Sequence, residues 1–122
     1  MENYYNLKGF EDLYFEDSFL LNIEKSKTRL SFIVEIVLLE NYHLYQAPKA
    51  GEQHCYKQGK IVFEDFKSVS WISENFETTI NIDGSEDMGN IDVFNFSSGK
   101  YHLEGSWWEV EIESPLPKLS WL

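Results

Sequence analysis

Two stretches of the chain carry residue types that do chemistry. The first is Glu52-Gln53-His54-Cys55-Tyr56, where a thiol stands beside an imidazole. A cysteine nucleophile needs a nearby base to lower its pKa and a third group to orient that base. Along an extended chain, neighbouring side chains point to opposite faces. His54 is therefore badly placed to serve Cys55, and His43 or His102 would have to come from elsewhere. No cysteine-hydrolase context surrounds Cys55, so the expectation is a small buried residue rather than a nucleophile. His43, His54, Cys55 and His102 are also the candidate zinc ligands. Zinc sites show ligands paired at short spacings, whereas only His54 and Cys55 are close, at the wrong spacing. The acidic loop Asp83-Gly84-Ser85-Glu86-Asp87 lacks the ordered ligands and closing glutamate of a calcium loop and reads as a solvated turn. No metal and no cofactor is expected.

The second stretch is Gly105-Ser106-Trp107-Trp108-Glu109-Val110-Glu111-Ile112-Glu113, with a glutamate at every second position after a tryptophan pair. Together with Tyr101-His102-Leu103-Glu104 it reads as a hairpin. Gly105-Ser106 suits a two-residue turn that wants glycine first. That turn predicts the pairs Glu104–Trp107, Leu103–Trp108, His102–Glu109, Tyr101–Val110 and Lys100–Glu111. Tyr101, Leu103, Trp108, Val110 and Ile112 then face the core. Lys100, His102, Glu104, Trp107, Glu109, Glu111 and Glu113 face outward. Trp107 is expected in the open unless another strand, the N-terminus or the tail 115–122 covers it. An exposed tryptophan among carboxylates is chemistry for binding a protein, since tryptophan is enriched where interfaces gain most of their energy.

Other elements must hold this hairpin. Residues 19–40 read as a long hairpin of their own. Leu30, Phe32, Val34, Ile36 and Leu38 keep period two, and Lys25 to Thr28 make the turn. Ile33, Val37 and Leu39 make the opposite face apolar too, which predicts a strand covered on both sides over its second half. Residues 47–60 read as a loop rich in breakers, and 61–72 as resumed strand. A weak strand is expected around 79–82, a strand at 91–96 and a turn at 97–100. The tail, with Pro115 and Pro117, reads as an edge strand or an irregular cover. The expected fold is mainly β: a single domain over residues 1–122. It is an antiparallel β-sandwich or partly open barrel built from hairpins, with at most one short N-terminal helix.

Composition narrows the function. The chain carries 21 acidic against 10 basic residues, a net charge of −11. It has no basic footprint for phosphates, so neither nucleic acid nor an anionic membrane is an expected partner. A basic protein is, because complementary charge speeds encounter. The N-terminus lacks the basic start and apolar run of a signal peptide. One cysteine precludes an internal disulfide, and no apolar run approaches the roughly 20 residues that span a bilayer. The expected location is cytoplasmic. Carboxylates are too common here for any pair to signal glycosidase chemistry. Neither a phosphate-cradling glycine loop nor a serine-nucleophile motif occurs.

Two segments carry a resemblance. Tyr45-Gln-Ala-Pro-Lys-Ala-Gly-Glu-Gln-His-Cys-Tyr56, followed by Gly59-Lys-Ile-Val-Phe63 and Trp71, is one; Gly89-Asn-Ile-Asp-Val-Phe94, followed by Tyr101 to Ile112, is the other. Together they resemble a family of small uncharacterised bacterial proteins, a resemblance that assigns no activity. The general profile is similar to that of bacterial toxin-immunity proteins, which implies an acidic surface that plugs a basic toxin domain. The leading expectation is a non-enzymatic acidic protein-binding module using Trp107, Glu104, Glu109, Glu111 and His102. The alternative is a small-ligand-binding barrel or sandwich whose cavity draws on Phe32, Val34, Ile36, Phe63, Trp71, Tyr101 and Trp108. A cysteine-dependent enzyme is the third.

Overall fold

Alternation in the sequence becomes two sheets. The computed structural model describes residues 1–76, 78–82 and 84–122. Its strands are β1 (Glu2–Asn3), β2 (Leu13–Lys25), β3 (Arg29–Leu38), β4 (Cys55–Glu64), β5 (Ser68–Glu74), β6 (Thr79–Ile80), β7 (Glu86–Asp87), β8 (Val93–Ser97), β9 (Lys100–Glu104), β10 (Trp108–Glu113) and β11 (Lys118–Trp121). One sheet has the order β1-β8-β9-β10-β5, the other β11-β4-β3-β2, and β6 pairs with β7 alone. The neighbours within each sheet run antiparallel. The sheets are separate ladders that meet through side chains: a sandwich, not a closed barrel. In place of an N-terminal helix there is one 3-10 turn, Tyr4–Asn6.

The core lies where the period-two pattern put it. Leu30, Phe32, Val34, Ile36 and Leu38 are buried on β3. Across from them, Tyr101, Leu103, Trp108, Val110 and Ile112 are buried on β9 and β10. Aromatic rings join the two layers: Phe32 stacks on Trp108 at 5.8 Å, and Phe63 meets Tyr101 edge-on at 5.5 Å. Such ring pairs add about 0.5–1.5 kcal/mol each beyond the area they bury. The opposite face of β3 is less covered than its composition predicts. Val37 is buried, Ile33 is half-buried and Leu39 is exposed.

Residues 55–60 are strand rather than loop. Cys55 to Lys60 pair with Leu38 to Ile33, and Gly59 is buried opposite Val34. Glycine stands there for space. A Cβ on Gly59 would lie 3.0 Å from Cε3 of Trp121 and 3.3 Å from Cδ1 of Ile36. The tail makes this close approach as edge strand β11, with Trp121 opposite Gly59. A breaker signal thus concealed a strand that has a neighbour on each side.

β2 is interrupted by a wide irregularity. Tyr14 pairs with Val37 and Phe19 with Glu35, so the chain between Tyr14 and Phe19 is longer than its partner. Ser18 closes the gap. Its buried hydroxyl donates to Tyr14 O at 2.6 Å and accepts from Val37 N at 2.9 Å. Tyr4 pins the N-terminal turn to the same region: its hydroxyl donates to Glu16 Oε1 at 2.5 Å and accepts from Phe15 N at 3.1 Å. Burial first, and then the bond to Glu16, raise the Tyr4 phenol pKa above its ordinary value.

Ser18→Ala leaves the Val37 N–H and the Tyr14 carbonyl without their ladder substitute. The expected loss is about 1–3 kcal/mol, the cost of unsatisfied buried polar groups. Urea unfolding monitored by tryptophan fluorescence checks it. A change below about 0.5 kcal/mol, the range of surface substitutions, would mean that the hydroxyl does not hold the irregularity.

Candidate functional site

The hairpin β9–β10 brings the predicted outward residues together, in a different register. Glu104 pairs with Glu109, Leu103 with Val110, His102 with Glu111, Tyr101 with Ile112 and Lys100 with Glu113. The expected pairs are displaced by two residues. The cause is the turn. Gly105 N donates to Trp108 O at 2.9 Å, so the chain reverses at Ser106 and Trp107, one residue further along than Gly105-Ser106, and a tip moved by one residue displaces every pair by two. Gly105 does not adopt positive φ. It is needed because Trp108 folds back over it: a Cβ there would lie 2.0 Å from Nε1 and 2.4 Å from Cε2 of the indole. The next turn back, Ser98-Gly99, is the two-residue kind, with φ of 48° and 81°.

A displacement of two preserves the faces. Tyr101, Leu103, Trp108, Val110 and Ile112 point inward as expected. The outward set stays outward, and Trp107 is left on the turn, 47% exposed. Neither the N-terminus nor the tail buries it. Its backbone is nonetheless fixed. Trp107 O accepts from Ser73 Oγ at 2.9 Å and from Asn75 N at 3.1 Å, tying the turn to the end of β5.

Carboxylates crowd one imidazole on the outer face. His102 Nε2 lies 2.9 Å from Glu104 Oε1 and 3.0 Å from Glu109 Oε2. Its Nδ1 lies 3.7 Å from Glu111 Oε1. His102 and Glu109 are half-buried, and Glu111 is exposed. Beside them a surface groove of about 260 Å³ is bordered by Ser70, Asn95, His102 and Glu111. Asn95 Oδ1 is buried there with no hydrogen-bond partner among the described residues. All five residues expected to bind a partner, Trp107, Glu104, Glu109, Glu111 and His102, therefore belong to one hairpin. Asn95, Ser70, Ser73 and Asn75 were missed. Nothing in their local sequence marks them, because only strand order sets β5 and β8 on either side of β9–β10.

The other candidates are dispersed. Cys55 is half-buried, and its Sγ accepts from Gln46 N at 3.5 Å. His54 is engaged by Asp17, with Nε2 3.0 Å from Oδ2, and lies among the rings of Tyr14 and Tyr56. His43 stacks on Tyr42 at 4.6 Å. Asp83 of the acidic loop lies outside the described residues. Asp87 is buried and structural, accepting from Gly89 N and from Asn81 Nδ2, each at 2.8 Å. The rings expected to line a cavity pack against other aromatic rings, with Trp71 only half-buried. Trp108 stacks between Phe32 and Phe76, and Phe32 meets Phe63 at 6.0 Å. Trp71 packs against Phe76 and lies under Lys25 Nζ at 4.5 Å.

Comparisons with protein-family models, with curated proteins and with solved structures find no match.

The two neighbouring tryptophans should respond oppositely to truncation. Trp108→Ala empties a core position and is expected to cost about 3–5 kcal/mol. Trp107→Ala is expected to change stability by less than about 0.5 kcal/mol. Paired denaturant titrations test this, and comparable losses for the two would show that Trp107 is buried by something. Gly105→Ala should resemble the Trp108 variant in direction, with a loss of about 1–3 kcal/mol from overpacking and an altered near-ultraviolet dichroism.

Proposed function

We propose that this chain is a non-enzymatic protein-binding module whose binding surface is the outer face and turn of the β9–β10 hairpin, and that its partner is a basic protein. The observation that carries this reading is the exposed Trp107, held at its backbone by Ser73 and Asn75, beside Glu104, Glu109 and Glu111. An aromatic anchor whose turn is already fixed loses little entropy on binding. A carboxylate face around it steers a cationic partner and rejects an anionic one. A toxin domain neutralised by an immunity protein of this chain's profile is the partner type we favour, and it would place the protein in the bacterial cytoplasm. The absence of nucleic acid from the proposed partners rests on the charge of −11. No helix among the described residues is long and apolar enough to cross a membrane.

The interior favours the surface reading over a bound small molecule, since Phe32, Val34, Ile36 and Phe63 are fully buried against one another and their neighbours. The chemistry-bearing Cys55 and His54 have other partners. The binding test uses wild type, Trp107→Ala and the double variant Glu109→Gln/Glu111→Gln as baits in the native cell extract, followed by interferometry on the captured protein. Each variant should weaken binding by about tenfold or more, equivalent to ~1.4 kcal/mol. Raising the salt should slow association for wild type and do so less for the double variant. Capture that ignores both substitutions, or an on-rate indifferent to salt, would remove the hairpin face as the interface.

A further inference from the structure

We propose that His102, Glu104 and Glu109 form a binding site for a first-row divalent metal ion of the zinc type. The imidazole separates this group from an ordinary acidic patch. Its Nε2 is the common neighbour of both carboxylates, at 2.9 and 3.0 Å, and the three donor atoms lie within 4.8 Å of one another. Around a tetrahedral ion with bonds of roughly 2.0–2.2 Å, donor atoms stand about 3.3–3.6 Å apart. The two contacts must open by about 0.3–0.7 Å and the two carboxylate oxygens must stand at the same spacing from each other, movements that rotation of the two glutamate side chains supplies.

Strand pairing explains why the three converge. Glu104 and Glu109 are direct cross-strand partners. Like charges so placed repel, and the pair is costly unless something positive stands between them. His102 lies two residues before Glu104 on the same face and reaches into that gap. A protonated imidazole offers a single Nε2–H to two carboxylates. A dication bonded to Nε2 and to one oxygen of each glutamate neutralises both. The remaining ring nitrogen faces a third carboxylate, beyond the reach of a direct hydrogen bond. Glu111 is the cross-strand partner of His102, with its Oε1 3.7 Å from Nδ1. Ligating histidines commonly direct their second N–H at a carboxylate, which fixes the tautomer and makes the ligating nitrogen a better donor.

The donor set selects the ion. One imidazole nitrogen with two carboxylate oxygens is too nitrogen-rich for calcium or magnesium and lacks the thiolate that draws copper(I). Zinc and the other first-row dications, from manganese and iron to cobalt, nickel and copper(II), remain. Three protein ligands leave a fourth position open to water or to a group brought by another molecule. The site shares a face with the proposed protein interface, yet it needs no partner, so either reading can fail alone.

Calorimetric titration of the purified protein with Zn²⁺, paired with Co²⁺ titration followed in the visible spectrum, tests the site. One saturable event is expected. His102→Ala and Glu109→Gln should each weaken it at least tenfold, and Glu111→Gln by about tenfold through lost orientation of the imidazole. The double variant His54→Gln/Cys55→Ser should bind as wild type does. Zn²⁺ should also raise the melting temperature of wild type but not of Glu109→Gln. No saturable binding at millimolar Zn²⁺ would overturn the proposal. So would binding that survives both His102→Ala and Glu109→Gln, or binding lost in the His54/Cys55 variant.

Discussion

The packing of the Trp108 indole on Gly105 is the contact on which the rest of the site depends. The ring stacks on Phe32 of the facing sheet and on Phe76, which follows β5, so it is held between the facing sheet and the segment after its own sheet's edge strand. It can take that position only because Gly105 has no side chain. The same fold-back places Trp108 opposite Gly105 at the start of β10 and sets the register of β9 against β10. The cost is visible in the indole N–H, which is buried with no hydrogen-bond partner among the described residues. Aromatic stacking and burial of a large ring offset it, a Trp side chain contributing several times the net value of one hydrogen bond.

That register decides the chemistry outside. Had Gly105 and Ser106 formed the tip, His102 would have stood directly opposite Glu109, and Glu104 opposite Trp107. With Ser106 and Trp107 at the tip, two glutamates confront each other and His102 stands diagonal to one of them. The imidazole then contacts two carboxylates and has a third 3.7 Å away. Trp107, relieved of strand pairing with Glu104, becomes the tip of the turn, where Ser73 and Asn75 hold its carbonyl. One glycine thus links core packing, the position of the turn and the arrangement of charge on the surface.

Period-two alternation carries parity and nothing more. For that reason the inward and outward sets of β3, β9 and β10 were legible in the sequence, while the partners across the hairpin were not. A displacement by two changes each pair and leaves each face intact. Gly105 was read for the turn it permits; its role is the space it leaves, and that depends on where a neighbouring indole goes. Gly59 repeats the lesson. Among the polar residues 47–60 it reads as a breaker, yet it sits in a strand because Trp121, more than 60 residues away in sequence, needs the room. Asn95, Ser70 and Ser73 join the site through strand order, which no local pattern encodes.

The charge of the protein is unevenly answered. On the outer face of the second sheet the cations have acids: Lys60 lies 3.0 Å from Glu24, and Arg29 and Lys118 share Glu64 at 3.5 and 3.8 Å. Exposed pairs of this kind contribute little to stability, about 0–1 kcal/mol, but they leave little field beyond themselves. On the outer face of the first sheet, Glu104, Glu109 and Glu111 meet a single imidazole, and no lysine or arginine forms an ion pair with them among the described residues. Folding alone gains nothing from this crowding, since opposed carboxylates cost stability and a threonine or lysine at position 104 or 109 would pair better. Local arrangements that oppose stability while the surrounding structure is well packed are where a protein's function is to be sought. Here the surrounding structure is the Trp108–Phe32 core, and the unanswered charge on the hairpin above it is the feature that a cation, whether an ion or a partner's side chain, would complete.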